Sequence, residues 1–161
     1  MGVESAVTVG ILGFSLAMTY VLSIGLYVIY IIAFWRIFSK AGIPGWKSII
    51  PFYNLYIQFK ITWKTSFFWI FLALIVIAGI VDAAGGNQPS NAIVVVRSIL
   101  QILGGVILML DSYFLSMSFG HGLGFTIGLW LLEFVFTLVL GFGSSRYEGN
   151  GYRLYQYQRR K

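Results

Sequence analysis

The chain has 161 residues, 58% of them hydrophobic and only 10% charged, with a mean hydropathy of +0.85 and a formal net charge of +6. A water-soluble domain carries about 25% charged residues, so a soluble globular fold is excluded. With no cysteine, disulfides, thiolate metal sites and thiol catalysis are excluded too; the basic residues flank apolar runs, a placement that suits membrane orientation and not a nucleic-acid surface.

The N-terminus, MGVESAVTVG, lacks a positive n-region, and the apolar run behind it is too long for the h-region of a cleavable signal. Residues 7–35 hold no charge, which exceeds the ~20 apolar residues that cross a bilayer. Along this helix Ser15, Thr19, Ser23, Tyr27 and Tyr30 share a face, where hydroxyls can bond the preceding turn or a neighbouring helix. Trp35 and Arg36 mark its exit from the membrane.

The stretch KAGIPGWKSIIPFYN (40–54) follows. Pro44 cannot continue a helix and disfavours helix at Ile43, and Pro51 imposes a second break. Aromatics then alternate irregularly with Lys47, Asn54, Gln58, Lys60 and Lys64. This is too polar to lie in lipid and too aromatic for a solvated loop, so an interfacial elbow over 40–62 is expected, with a short amphipathic helix from about Phe52 to Thr62. Lys40, Pro44, Trp46, Lys47, Pro51, Tyr53, Asn54 and Tyr56 are its candidate contacts to lipid head groups or partner subunits.

A second span is expected over about 64–82, ending at Asp82, and AAGGNQPSN (83–91) is loop chemistry. The third span, about 92–117, carries Arg97, Gln101 and Asp111 on one stripe. FGHGLG (119–124) is a tight turn, and a fourth span, about 125–142, contains Glu133. The fold class is therefore an all-α integral membrane protein. Its four transmembrane helices and elbow form one domain over 1–145, followed by a basic, tyrosine-rich tail over 146–161 that reads as a solvated end or, alternatively, as a segment lying on anionic lipid or an anionic wall polymer.

Four spans put both termini on one side. The basic residues divide equally between the elbow (Arg36, Lys40, Lys47, Lys60, Lys64) and the tail (Arg146, Arg153, Arg159, Arg160, Lys161). Giving weight to the first helix places the elbow inside and both termini outside, whereas one re-entrant segment would bring the tail inside.

Asp111 and Glu133 each stand 11 residues from Gly122, about 16 Å along a helix and near mid-membrane if the last two helices form a hairpin. Ser23 falls at similar depth, and Arg97 and Gln101 extend the polar stripe. The two acids can share a proton or hold a cation in one polar core. Alternatively, each is protonated and bonded to a helix hydroxyl, or faces a basic residue of another subunit. His121, the sole histidine, reads as a turn residue; no metal site or cofactor is expected.

KAGIPGWKSIIPFYN resembles an uncharacterised family of small bacterial membrane proteins, and SFGHGLGFTIGL (118–129) and LGFGSSRYEG (140–149) resemble it too. The resemblance spans most of 30–149 and implies a multi-pass protein of the bacterial cytoplasmic membrane, without implying an activity. Members are sometimes labelled signal peptidase I. Here Ser116-Met117 has no lysine base beside it and no β-rich domain after it, so a serine–lysine nucleophile is not expected. The leading expectation is a non-enzymatic accessory or assembly subunit that meets anionic lipids and other membrane subunits, or a copy of itself, and no nucleic acid. The second is a small oligomeric transporter or channel for protons or cations that uses Asp111 and Glu133.

Overall fold

A computed structural model describes residues 2–86 and 90–160, without the side chains of residues 3–7. Among the described residues it is all-helical: α1 (Val3–Lys40), a 3-10 turn (Gly45–Ser48), α2 (Tyr53–Thr62), α3 (Thr65–Gly85), α4 (Asn91–Ser118), α5 (Leu123–Leu131), α6 (Glu133–Phe142) and α7 (Gly151–Gln158). Three of these are long and apolar enough to cross a membrane: Thr8–Lys40 of α1, then α3 and α4. The 21 residues of α3 reach about 32 Å, the thickness of a hydrocarbon core. The expected loop over 83–91 is shorter than its composition suggests, because α3 runs on to Gly85 and Ser90 already caps α4. Asn87, Gln88 and Pro89 lie outside the described residues.

The expected fourth span is not one helix. The chain breaks at Leu132 (φ −132°, ψ 51°), leaving α5 with 9 residues and α6 with 10. Each reaches only about 15 Å, half a bilayer core. In a straight helix Phe125 and Phe136 would be about 16 Å apart, yet their ring centroids are 5.0 Å apart. The segment folds back as a helical hairpin. Gly128 permits this, since a Cβ there would stand 2.2 Å from the Phe136 ring. Glu133 begins α6, where the positive end of the helix dipole favours a carboxylate. Hydropathy alone does not distinguish a straight apolar run from a folded one.

The elbow also differs from its expectation. α1 ends in a Schellman turn: Gly42 takes φ +73°, Gly42 N–H donates to Ser39 O (3.1 Å) and Ile43 N–H to Phe38 O (2.9 Å). The chain then doubles back along α1. Gly45 lies under the Trp35 indole, and the buried Ser48 hydroxyl donates to Ile31 O at 3.2 Å. A helix does follow at Tyr53–Thr62, but it is no lipid-facing amphipath. Ile57, Phe59, Ile61 and Thr62 are all buried. Two apolar clusters meet at α2. One is built on Phe34, Phe38, Leu115 and Leu140, the other on Trp63, Phe68 and Phe114, and Tyr56 packs against both. Helix α2 is the centre of the core, because both of its faces find helices to cover them.

The tail does not behave as a solvated end either. Asn150 caps α7 and its Nδ2 donates to Trp63 O (2.8 Å) and Lys60 O (3.1 Å). Gly151 N–H donates to Ser118 Oγ at 2.9 Å, and the Tyr152 and Tyr155 rings pack on Phe114. Tyr147 donates to Ile61 O at 2.8 Å, and burial pushes its phenol up from its ordinary pKa. The alternating tyrosines supply apolar area that a charge count misses. At the other extreme, residues 9–28 of α1 are exposed on every face, Phe14 and Tyr20 by 72% and 70%.

Candidate functional site

A cavity of about 180 Å³ lies where α1, α2, α4 and the α5–α6 break converge. Each wall contributes polar atoms: Tyr30 from α1, Asn54 and Gln58 from α2, Asp111 and Ser112 from α4, and Glu133 from the first position of α6. Asn54, Gln58 and Thr62 recur every four residues, so they form one stripe along α2 facing α4. The break at Leu132 brings Glu133 to the cavity.

Asp111 is 1% exposed. Its Oδ2 accepts from Gln58 Nε2 at 2.6 Å, and its Oδ1 lies 2.5 Å from Thr62 Oγ1. The same hydroxyl lies 2.9 Å from the Gln58 carbonyl oxygen. A hydroxyl has one hydrogen, so Thr62 cannot donate to both oxygens. Across the cavity Tyr30 donates to Glu133 Oε1 at 2.6 Å. Asn54 Oδ1 is buried with no hydrogen-bond partner. The Gln58 carbonyl already accepts the Thr62 N–H within α2, so among the described cavity atoms the buried acceptor left without a hydrogen is Asn54 Oδ1, and a protonated acid or a cation beside it would serve it. Among the described residues no group of three histidine, cysteine or acidic side chains forms a metal site, so a bound cation would rest on Asn54, Asp111 and Glu133 oxygens.

Asp111 and Glu133 therefore line one cavity. The other residues expected in a polar core do not join them. Arg97 pairs with Asp82 at 3.2 Å, bridging α3 and α4 with both side chains about half exposed. Gln101 is exposed, and Ser23 is also exposed, donating to Thr19 O in its own helix at 2.8 Å. A stripe along α4 includes residues too far from the hairpin to reach it. Sequence reasoning missed Thr62 and Ser112, and it placed Asn54 at the membrane surface; the four-residue polar spacing on α2 was the available signal.

Several elbow residues make contacts within the fold. Lys40 Nζ donates to Leu140 O (2.5 Å) and Gly143 O (2.8 Å), so this lysine closes the C-terminal end of α6. Lys47 lies over the Tyr53 ring, Tyr53 stacks on Tyr56, and Pro44, Trp46 and Pro51 are exposed. His121 stacks on Phe125 and its Nε2 lies 2.8 Å from Ser145 Oγ. Ser116 is fully buried and its hydroxyl donates to Gly122 O, so it is not presented to a substrate.

Residues 46–150 match the model of a family described only as a family of unknown function (DUF5684). No curated protein and no solved structure matches the chain.

Proposed function

The chain belongs to this family of unknown function, and we propose that it is a non-enzymatic multi-pass protein of the bacterial cytoplasmic membrane whose working centre is the acidic cavity, which takes up and releases a proton or a small cation. The buried, unpartnered Asn54 Oδ1 in a cavity lined by two acids carries this reading. A buried carboxylate inside a membrane is costly unless it serves a site. A proton on Asp111 would let the acid donate to Thr62 Oγ1 and free the Thr62 hydrogen for the Gln58 carbonyl. A small cation would instead take Asn54 Oδ1 and the two carboxylates as oxygen ligands.

The packing of α7 on the α2–α3 junction supports an orientation. It brings the basic residues of elbow and tail to one end of the long helices, so three spans with a re-entrant α5–α6 hairpin satisfy the positive-inside rule with that end cytoplasmic. Transport follows if the cavity opens in turn to each side. The test is ion and proton flux in liposomes with Asp111→Asn and Glu133→Gln. Both substitutions should abolish flux while the protein stays folded. Flux at the wild-type rate in both variants refutes the reading.

A second reading, an accessory or assembly subunit, rests on a different observation. Residues 9–28 of α1 are exposed on every face, and a Cβ on Gly10 or Gly13 would meet nothing within 4 Å. A partner helix fits against such a face. Purification from native membranes tests it. One stoichiometric partner, lost when Gly10 and Gly13 become leucine, supports it; recovery of the chain alone opposes it.

A further inference from the structure

We propose that the groove between the α2–α3 junction and α7 binds a phosphate-bearing anion, either the head group of an anionic phospholipid or a soluble phosphate. The groove encloses about 670 Å³, within the roughly 300–1,000 Å³ of small-ligand sites. Lys60 from the end of α2, Lys64 from the joint and Arg153 from α7 all line it, and no acidic residue does. Among the described residues none of the three is in an ion pair; the ion pair there is Arg97 with Asp82, in α4 and α3. Three cations gathered around one concavity repel each other unless an anion joins them.

The groove also has hydrogen-bond donors. Thr65 and Ser66, the first two residues of α3, line it, and no side chain caps that helix. The leading N–H groups of a helix are left unbonded by the helix itself and suit a phosphate oxygen. Position favours the lipid source. Helix α3 starts here and runs about 32 Å, so its first residues sit at one face of the hydrocarbon. Trp63 and Tyr152 line the groove, and Lys64 Nζ lies 4.8 Å over the Tyr152 ring, aromatic and basic residues of the kind found at head-group depth. Because Asn150 ties α7 to Lys60 O and Trp63 O, the groove forms only when the tail is docked. It shares no residue with the acidic cavity, so either site can fail alone.

The test uses the full chain in nanodiscs of equal phosphatidylglycerol and phosphatidylcholine, followed by native mass spectrometry of retained lipid. A second arm titrates inorganic phosphate against the protein in pure phosphatidylcholine and follows the phosphorus resonance. Lys64→Gln with Arg153→Gln should weaken binding about 25-fold, some five-fold for each cation removed. Arg146→Gln with Arg159→Gln removes equal charge outside the groove and should leave binding intact. Retention of phosphatidylglycerol that the groove variant loses identifies the lipid as occupant; phosphate binding lost in that variant without lipid retention identifies a soluble phosphate. If the wild type binds neither, or both pairs of substitutions weaken binding equally, the proposal is overturned. If the double variant does not fold, Lys60→Gln, at an exposed side chain, replaces it with an expected five-fold loss.

Discussion

Replacing Asn54 with leucine separates an empty cavity from an occupied one. Asn54 Oδ1 is a buried acceptor without a partner, and such a group costs about 1–3 kcal/mol. Leucine has a similar branched shape, no polar atom and a higher helix propensity, so with no ligand present the variant should be more stable by that amount. In a chain of this length each kcal/mol moves the midpoint by about 2–4 °C, an expected rise of about 2–12 °C. Ligand reverses the comparison. At a hundred times its dissociation constant a cation stabilises the wild type by about 2.7 kcal/mol, and the variant, lacking one ligand oxygen, should gain much less. Melting in detergent with choline as the only cation, then with sodium or potassium, and then across pH 5–8, measures both halves. Asn54→Asp keeps an oxygen at the position and should keep the ion response. The reasoning fails if Asn54→Leu melts below wild type in choline, or if both proteins gain equally from every ion and from acid.

Gly151→Ala should detach α7. A Cβ there would stand 2.1 Å from Phe114 O, a backbone atom that cannot rotate away. A loss of about 1–3 kcal/mol is expected, with faster proteolysis around residues 144–150 as the readout. Tyr147→Phe removes the bond to Ile61 O and should cost about 0.5–1.5 kcal/mol at neutral pH. The folded phenol is pushed up by burial, so the tyrosine's contribution is complete below its unfolded pKa of about 10 and is lost as pH rises above it. Alkaline melting of the two proteins should therefore converge above about pH 10.

The three long helices were legible because 20 or more apolar residues in a row admit few other structures. The same rule misread 125–142, since folding back at Leu132 leaves the hydropathy of the segment unchanged. Helix α2 was found but misplaced. Its mixture of aromatic and polar residues suits a membrane surface, and it equally suits a core helix whose Asn54, Gln58 and Thr62 meet a buried acid. Asp111 and Glu133 stood out as charges in apolar runs. Their supports did not, because Tyr30, Gln58 and Thr62 are ordinary residues until the fold brings them across 49 to 103 positions of sequence. The tail was misjudged because its tyrosines, though conspicuous, show no packing partner in the sequence; Phe114 and the Ile61 carbonyl reach them only in the fold.

The bond from Lys40 to the Leu140 carbonyl joins residues 100 positions apart, and this sets an order for biosynthesis. Helix α1 leaves the ribosome first, but its packing face, with Ala33, Phe34 and Ile37, is covered by elements that include α6, which ends at Phe142. Until α6 is made, α1 therefore waits with Tyr30 and Lys40 lacking their final partners, Glu133 and the Leu140 carbonyl. The hairpin that completes its packing face emerges only after α3 and α4 have been made.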